Sequence, residues 1–264
     1  MKNTAVRYQP SERIQKLWEH ARTQPDEMFL PIFRDYYYLE GWMSAKNDAL
    51  PIRNAAGLCN VIENMPLLLF PNEVIVGESG DNQRYSQINF MPSVTPAYYD
   101  RVKASRLTDE QKTCMLGWLD EHPFAYQTLA PAAPPPTELR TAEERGVIVV
   151  WGTALNHSIR GYEKVLRLGF SGLKAEVETA LSNLNLTDPD ASQRRANLLG
   201  MKMLCESAEM IGKRHAEAAR KMAASCDDPE QADEWNRIAD ICERVPAQPA
   251  RTFREAVQSL WFAH

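Results

Sequence analysis

The sequence predicts an α/β chain in which helices dominate. Three observations carry that expectation. Apolar residues recur at 3.6-residue spacing through most of the 264 residues, and two capping boxes open helices. Only two short β-branched runs, Glu73–Gly77 and Gly146–Gly152, read as strands.

The elements follow in order. Residues 1–10 form a lead-in to Pro10, after which Ser11 caps a helix with Ile14, Leu17, Trp18 and Ala21 on one side. Gln24-Pro25 stops it. Met28–Met43, rich in Phe, Tyr and Trp, is a second helix; Ile52, Ala55, Ala56, Cys59 and Ile62 mark a third, which ends before Pro66. Residues 79–107 are expected to be irregular. Thr108-Asp109-Glu110-Gln111 is a capping box, and Ala130–Pro136 is an extended, Pro-rich internal connection. Beyond the second strand, Tyr162 to Leu181 forms a helix of about five turns, followed by helices over Ser192–Cys226 and Pro229–Val245. Thr252-Phe253-Arg254-Glu255 opens the final helix, with Ala256, Val257, Leu260 and Trp261 as its apolar positions. Because that stripe reaches His264 without a stop signal, the chain is expected to be the front part of a longer protein.

Composition excludes several classes of function. The net charge is −5 with no basic stripe, which argues against nucleic acid as a partner. No apolar run approaches the roughly 20 residues that span a bilayer, and no secretory signal follows Met1, so no membrane partner is expected. Five cysteines at irregular spacing, without a CxxC, argue against a disulfide framework or a zinc site and for a reducing cytoplasm.

Local chemistry centres on the polar run Gly152 to Tyr162 between a strand and a helix. His157 can donate or accept a hydrogen bond, and Arg160 offers a forked donor set to an anion; these two are the substrate-binding candidates. The plainer alternative makes His157 a helix cap and Arg160 a solvated cation. His122 reads as a turn residue, His215 as a core histidine, and Cys59, Cys205 and Cys242 as small core hydrophobes. Tyr36-Tyr37-Tyr38 reads as packing. No cluster with metal-ligand spacing is present.

Six segments in order resemble the glycyl radical enzymes, the pyruvate formate-lyase superfamily. They are Arg13–Leu17; Ile52-Arg53-Asn54-Ala55-Ala56-Gly57-Leu58; Ile62–Leu67; and Asn72–Glu78, similar to D/N-E-L-I-V-G. His157–Leu166 is similar to G-H-x-x-P-D-Y-E-K-V-L, and Pro249–His264 to P-A-x-T-F-x-E-A-L-Q-x-x-W-F-x-H. The resemblance implies that residues 1–264 are the N-terminal part of a pyruvate formate-lyase-like domain, an incomplete portion of a ten-stranded α/β barrel. It implies radical cleavage of a small oxygenated substrate, of lyase, dehydratase or decarboxylase type, in anaerobic metabolism. No cofactor is expected to be bound; a glycyl radical is installed in the complete protein by an activating enzyme that uses S-adenosylmethionine and an iron–sulfur cluster. A homodimer is implied for the complete protein. The family's finger-loop Cys lies beyond the Trp-Phe-x-His helix, and its R-V-x-G-[WFY] motif is absent from the 12 glycines here. The span is therefore expected to be inactive alone, with no catalytic residue of its own. At the position of His157 the family carries Arg, which binds the carboxylate, in pyruvate formate-lyase, and His, which bonds a substrate hydroxyl, in the glycerol and diol dehydratases, so the resemblance tilts away from pyruvate. Arg160 and Gly161 depart from the family pattern and add a cation. The competing expectation is a non-catalytic helical module that binds a partner.

Overall fold

The computed structural model describes residues 9–23, 30–77, 96–121, 141–142, 145–147 and 161–264. Among them are helices α1 (Glu12–Thr23), α2 (Leu30–Ser44), α3 (Leu50–Asn64), α4 (Pro96–Ala104), α5 (Asp109–Glu121), α6 (Tyr162–Ser182), α7 (Ala191–Ala224), α8 (Pro229–Arg244) and α9 (Phe253–Ala263). Ser11 accepts from the Ile14 amide at 3.4 Å as the sequence predicts. At α5 the capping box is reciprocal: Thr108 Oγ1 accepts from the Gln111 amide at 3.2 Å, and Gln111 Oε1 accepts from the Thr108 amide at 3.0 Å. At α9 Thr252 Oγ1 caps the Glu255 amide at 3.2 Å, but the Glu255 carboxylate reaches past Thr252 to the Arg251 amide.

Two apolar cores result among the described residues. Ile32, Tyr36 and Leu39 of α2 pack with Val102 of α4, Leu107, and Met115 and Leu119 of α5. The second core joins Ala216 and Ala219 of α7 to Trp235, Ile238, Ala239 and Cys242 of α8, with Val76 inserted. Helix α3 bridges them by packing on both α2 and α7. Arg214 of α7 anchors this bridge by donating to the Ile62 and Met65 carbonyls, which the end of α3 leaves without amide partners.

Three expectations need correction. Segment 73–77 is not a strand: no strand forms among the described residues, and the backbone of 74–77 is bonded by side chains of α9 instead. Helix α4 lies inside the span expected to be irregular; Pro96 sits in its first turn, where a missing N–H is tolerated. The helix from Tyr162 has the expected length but is broken at Gly169, whose φ is +63°. The break leaves the Phe170 and Ser171 amides without helical acceptors, and both donate at 3.0 Å to the Pro246 and Ala247 carbonyls. A Cβ at Gly169 would lie 2.2 Å from the Ala247 oxygen, so both the dihedral and the contact require glycine. The Pro-rich connection at 130–136, residues 148–152 of the second strand, and His122 lie outside the described residues.

Candidate functional site

Extended residues 74–77, the start of α6 and the last turns of α9 meet at one corner of the second core. Three α9 side chains at helical spacing bond the extended segment. The Arg254 guanidinium donates to the Val74 carbonyl at 2.9 and 3.1 Å. The buried Gln258 amide accepts from the Val76 N–H at 2.9 Å and donates to the Val76 carbonyl at 2.8 Å. The Trp261 indole N–H donates to the Gly77 carbonyl at 3.2 Å. Gln258 thus takes the place a neighbouring strand would occupy, and satisfies two peptide groups that are fully shielded from water. Gly77 ends the segment with φ +108°, and a Cβ there would lie 2.9 Å from the Phe262 ring.

Helix α6 is tied to the same corner. The Tyr162 hydroxyl and His264 Nδ1 share a 2.8 Å hydrogen bond. Behind them the His215 ring packs against Phe262 at 4.8 Å, with Nδ1 bonded to the Ile211 carbonyl at 2.8 Å. Burial holds the His215 pKa below its ordinary value, so the ring is neutral near pH 7. This agrees with its reading as a core histidine. The candidates His157 and Arg160 precede this corner in the chain and lie outside the described residues.

Nucleophilic chemistry is not prepared at the buried cysteines. Burial pushes the Cys242 thiol up to about 12 and raises those of Cys59 and Cys205. None of the three is a thiolate at neutral pH. Among the described residues no group of His, Cys, Asp and Glu could hold a metal ion. An open, polar cleft of about 500 Å³ between α1 and α8 shares Val74 and Arg254 with this corner and is lined also by Lys16, Glu73, Asp228 and Glu234 among others. Its charges are largely neutralised internally: Arg254 pairs with Glu234 at 2.6 Å, and Lys16 with Glu12 at 2.8 Å. We assign it no substrate.

Sequence reasoning missed Arg254, Gln258 and Trp261 as a bonding set. The available signal was polarity in the wrong place. Arg254 and Gln258 share a helical face with the expected apolar stripe, and a Gln at a core-facing position needs backbone partners.

The order of these elements defines a known class. Residues 8–264 match the pyruvate formate lyase-like family, and the chain belongs to that family, whose characterised members are glycyl radical enzymes. The chain is 29% identical to the isethionate sulfite-lyase of Bilophila wadsworthia, over 95% of this chain and 32% of that protein. It is 27% identical to the trans-4-hydroxy-L-proline dehydratase of Clostridioides difficile, over 96% of this chain and 33% of the relative. The glycerol-bound B12-independent glycerol dehydratase of Clostridium butyricum superposes with a TM-score of 0.76 at 25% identity, covering 97% of this chain and 34% of its own. The chain thus spans about a third of the length of the relatives it matches. No described helix is long and apolar enough to cross a membrane.

Proposed function

We propose that residues 1–264 form the N-terminal part of the ten-stranded α/β barrel of a cytoplasmic glycyl radical enzyme. The complete protein would cleave a bond in a small oxygenated substrate as a lyase, dehydratase or decarboxylase. The supporting observation is the family match over 8–264, at about a third of the relatives' length. In such an enzyme the glycyl residue would store the unpaired electron with which the finger Cys abstracts a substrate hydrogen. This chain holds neither the glycyl motif nor the finger Cys, so radical handling is not assigned to it, and the span alone is not competent. The chain's own contribution is binding. His157 hydrogen-bonds a substrate hydroxyl, and Arg160 takes an anionic group. A small anion with a neighbouring hydroxyl, the chemistry of isethionate, satisfies both. The reading brings with it a radical-SAM activating enzyme as partner and a homodimer when the protein is complete.

The second reading, a partner-binding helical module, draws on α9, where Phe253 is 86% and Trp261 50% exposed. The test is His157→Ala in the complete, activated protein, assayed with isethionate and with glycerol. Turnover falls at least about a hundredfold, the usual worth of a positioned polar group in such a site, while the melting temperature stays within a few degrees. Equal turnover of variant and parent removes His157 from the site.

A further inference from the structure

We infer that the corner at the start of α3 is a two-fold contact between copies of this chain, in which the Asp48 carboxylate of each copy takes the Arg53 guanidinium of the other and the two Leu50 side chains meet at the axis. The contact rests on, and gives a face to, the homodimer of the proposed reading.

Arg53 is the first reason. Its guanidinium carbon lies 3.2 Å from the centre of the Trp42 ring, a stacking that holds the planar fork in place without using its N–H groups. The ring is itself fixed, since the Trp42 indole N–H donates to Asn54 Oδ1 at 3.2 Å. Among the described residues no carboxylate, carbonyl or hydroxyl accepts from the Arg53 guanidinium, and its Nε is shielded from water with no partner. A half-buried cation in that state lacks its anion.

The chain carries a matching anion a few residues earlier and does not use it on itself. Residues 46–50, in the turn between α2 and α3, are all exposed. The Asp48 carboxylate in this turn has no hydrogen bond or ion pair among the described residues, and Leu50, between the two charges, is 49% exposed. Such a set is complementary to its own image. An axis at Leu50 sets Asp48 against Arg53 twice and covers the leucine pair. An unrelated acidic partner would satisfy Arg53 alone and leave Asp48 and Leu50 unmatched. Two charge pairs around a small apolar centre make a contact at the weak end of specific interfaces.

Sedimentation velocity on the 264-residue chain tests the pairing. The parent should dimerise with a Kd in the micromolar range, as a small interface does. Asp48→Arg and Arg53→Asp each set like charges face to face at both ends of the contact, and each should raise that Kd at least about a hundredfold. Mixed one to one, the two variants should recover a dimer with a Kd within about tenfold of the parent's, because each brings the charge that the other has lost. The Asp48 side chain bonds nothing in its own fold, so Asp48→Arg should melt with the parent and decides the matter even where Arg53→Asp unfolds. A parent that stays monomeric at about millimolar concentration overturns the contact. So does a mixture of folded variants that stays monomeric. In the complete protein, a dimer that Asp48→Arg leaves intact overturns this face and keeps the homodimer; a complete protein that is monomeric overturns both.

Discussion

Replacing Gln258 tests how the extended segment is held. Its amide serves the Val76 N–H and carbonyl at 2.9 and 2.8 Å, and its residue is only 1% exposed. Gln258→Leu leaves both peptide groups shielded and unbonded, at about 1–3 kcal/mol each. Burial of the leucine returns about 1–2 kcal/mol, so the net loss is about 3 kcal/mol. In urea that moves the unfolding midpoint down by about 1 M. Gln258→Glu separates hydrogen bonding from packing. At pH 7 the carboxylate can accept from the Val76 N–H but has no proton for the Val76 carbonyl, and burial opposes its charge. The variant loses at least as much stability as Gln258→Leu. Burial raises the folded-state pKa of such a Glu above its unfolded value of about 4.3. Its stabilising, protonated form is therefore fully present below about pH 4.3 and lost as pH rises through the folded pKa. Measured against the parent at each pH, the deficit of Gln258→Glu should shrink on acidification, while that of Gln258→Leu stays constant. A Glu variant as stable as the parent at pH 7, or a deficit independent of pH, refutes the reasoning.

Other expectations follow from the same geometry. Gly169→Ala forces a Cβ 2.2 Å from a carbonyl oxygen at φ +63°, and should lower stability by more than about 3 kcal/mol in thermal melts. Gly117→Ala, in α5 with nothing within 4 Å, should gain about 0.5–1 kcal/mol. Burial lowers the His215 pKa in the fold, so its contribution to stability is present above the unfolded value near 6.5 and is lost as pH falls through the folded one. His215→Phe should flatten the loss of stability between pH 7 and pH 5, measured by urea titration. With an aromatic disulfide reagent at pH 8, exposed Cys114 should react in the native protein, whereas buried Cys59, Cys205 and Cys242 should react only after unfolding.

The helices were legible because their determinants are local. The Thr108–Gln111 box, the Pro229 start of α8 and the long apolar stripe of α7 each lie within a few residues of what they specify. The 73–77 segment was misread because β-branched residues announce an extended backbone and not its partner. The partner here is α9, some 180 residues away, acting through side chains. The break in α6 was hidden for the same reason. Gly169 fits an apolar stripe, and only the approach of Ala247 shows why it turns the chain. Of the site, His157 and Arg160 were nominated by residue type and family resemblance, while the Tyr162–His264 contact joins residues 102 apart and left no pattern to read.

The central proposal is that these residues are the front part of a glycyl radical enzyme, whose radical chemistry would be completed by chain that follows them. Reading the gene past codon 264 tests it most directly. The account predicts an open frame continuing for roughly twice the present length, as the one-third coverage of the relatives requires, with a Cys loop and then an R-V-x-G-[WFY] motif near its end. A stop codon immediately after His264, in an organism that uses this protein as it stands, would contradict it.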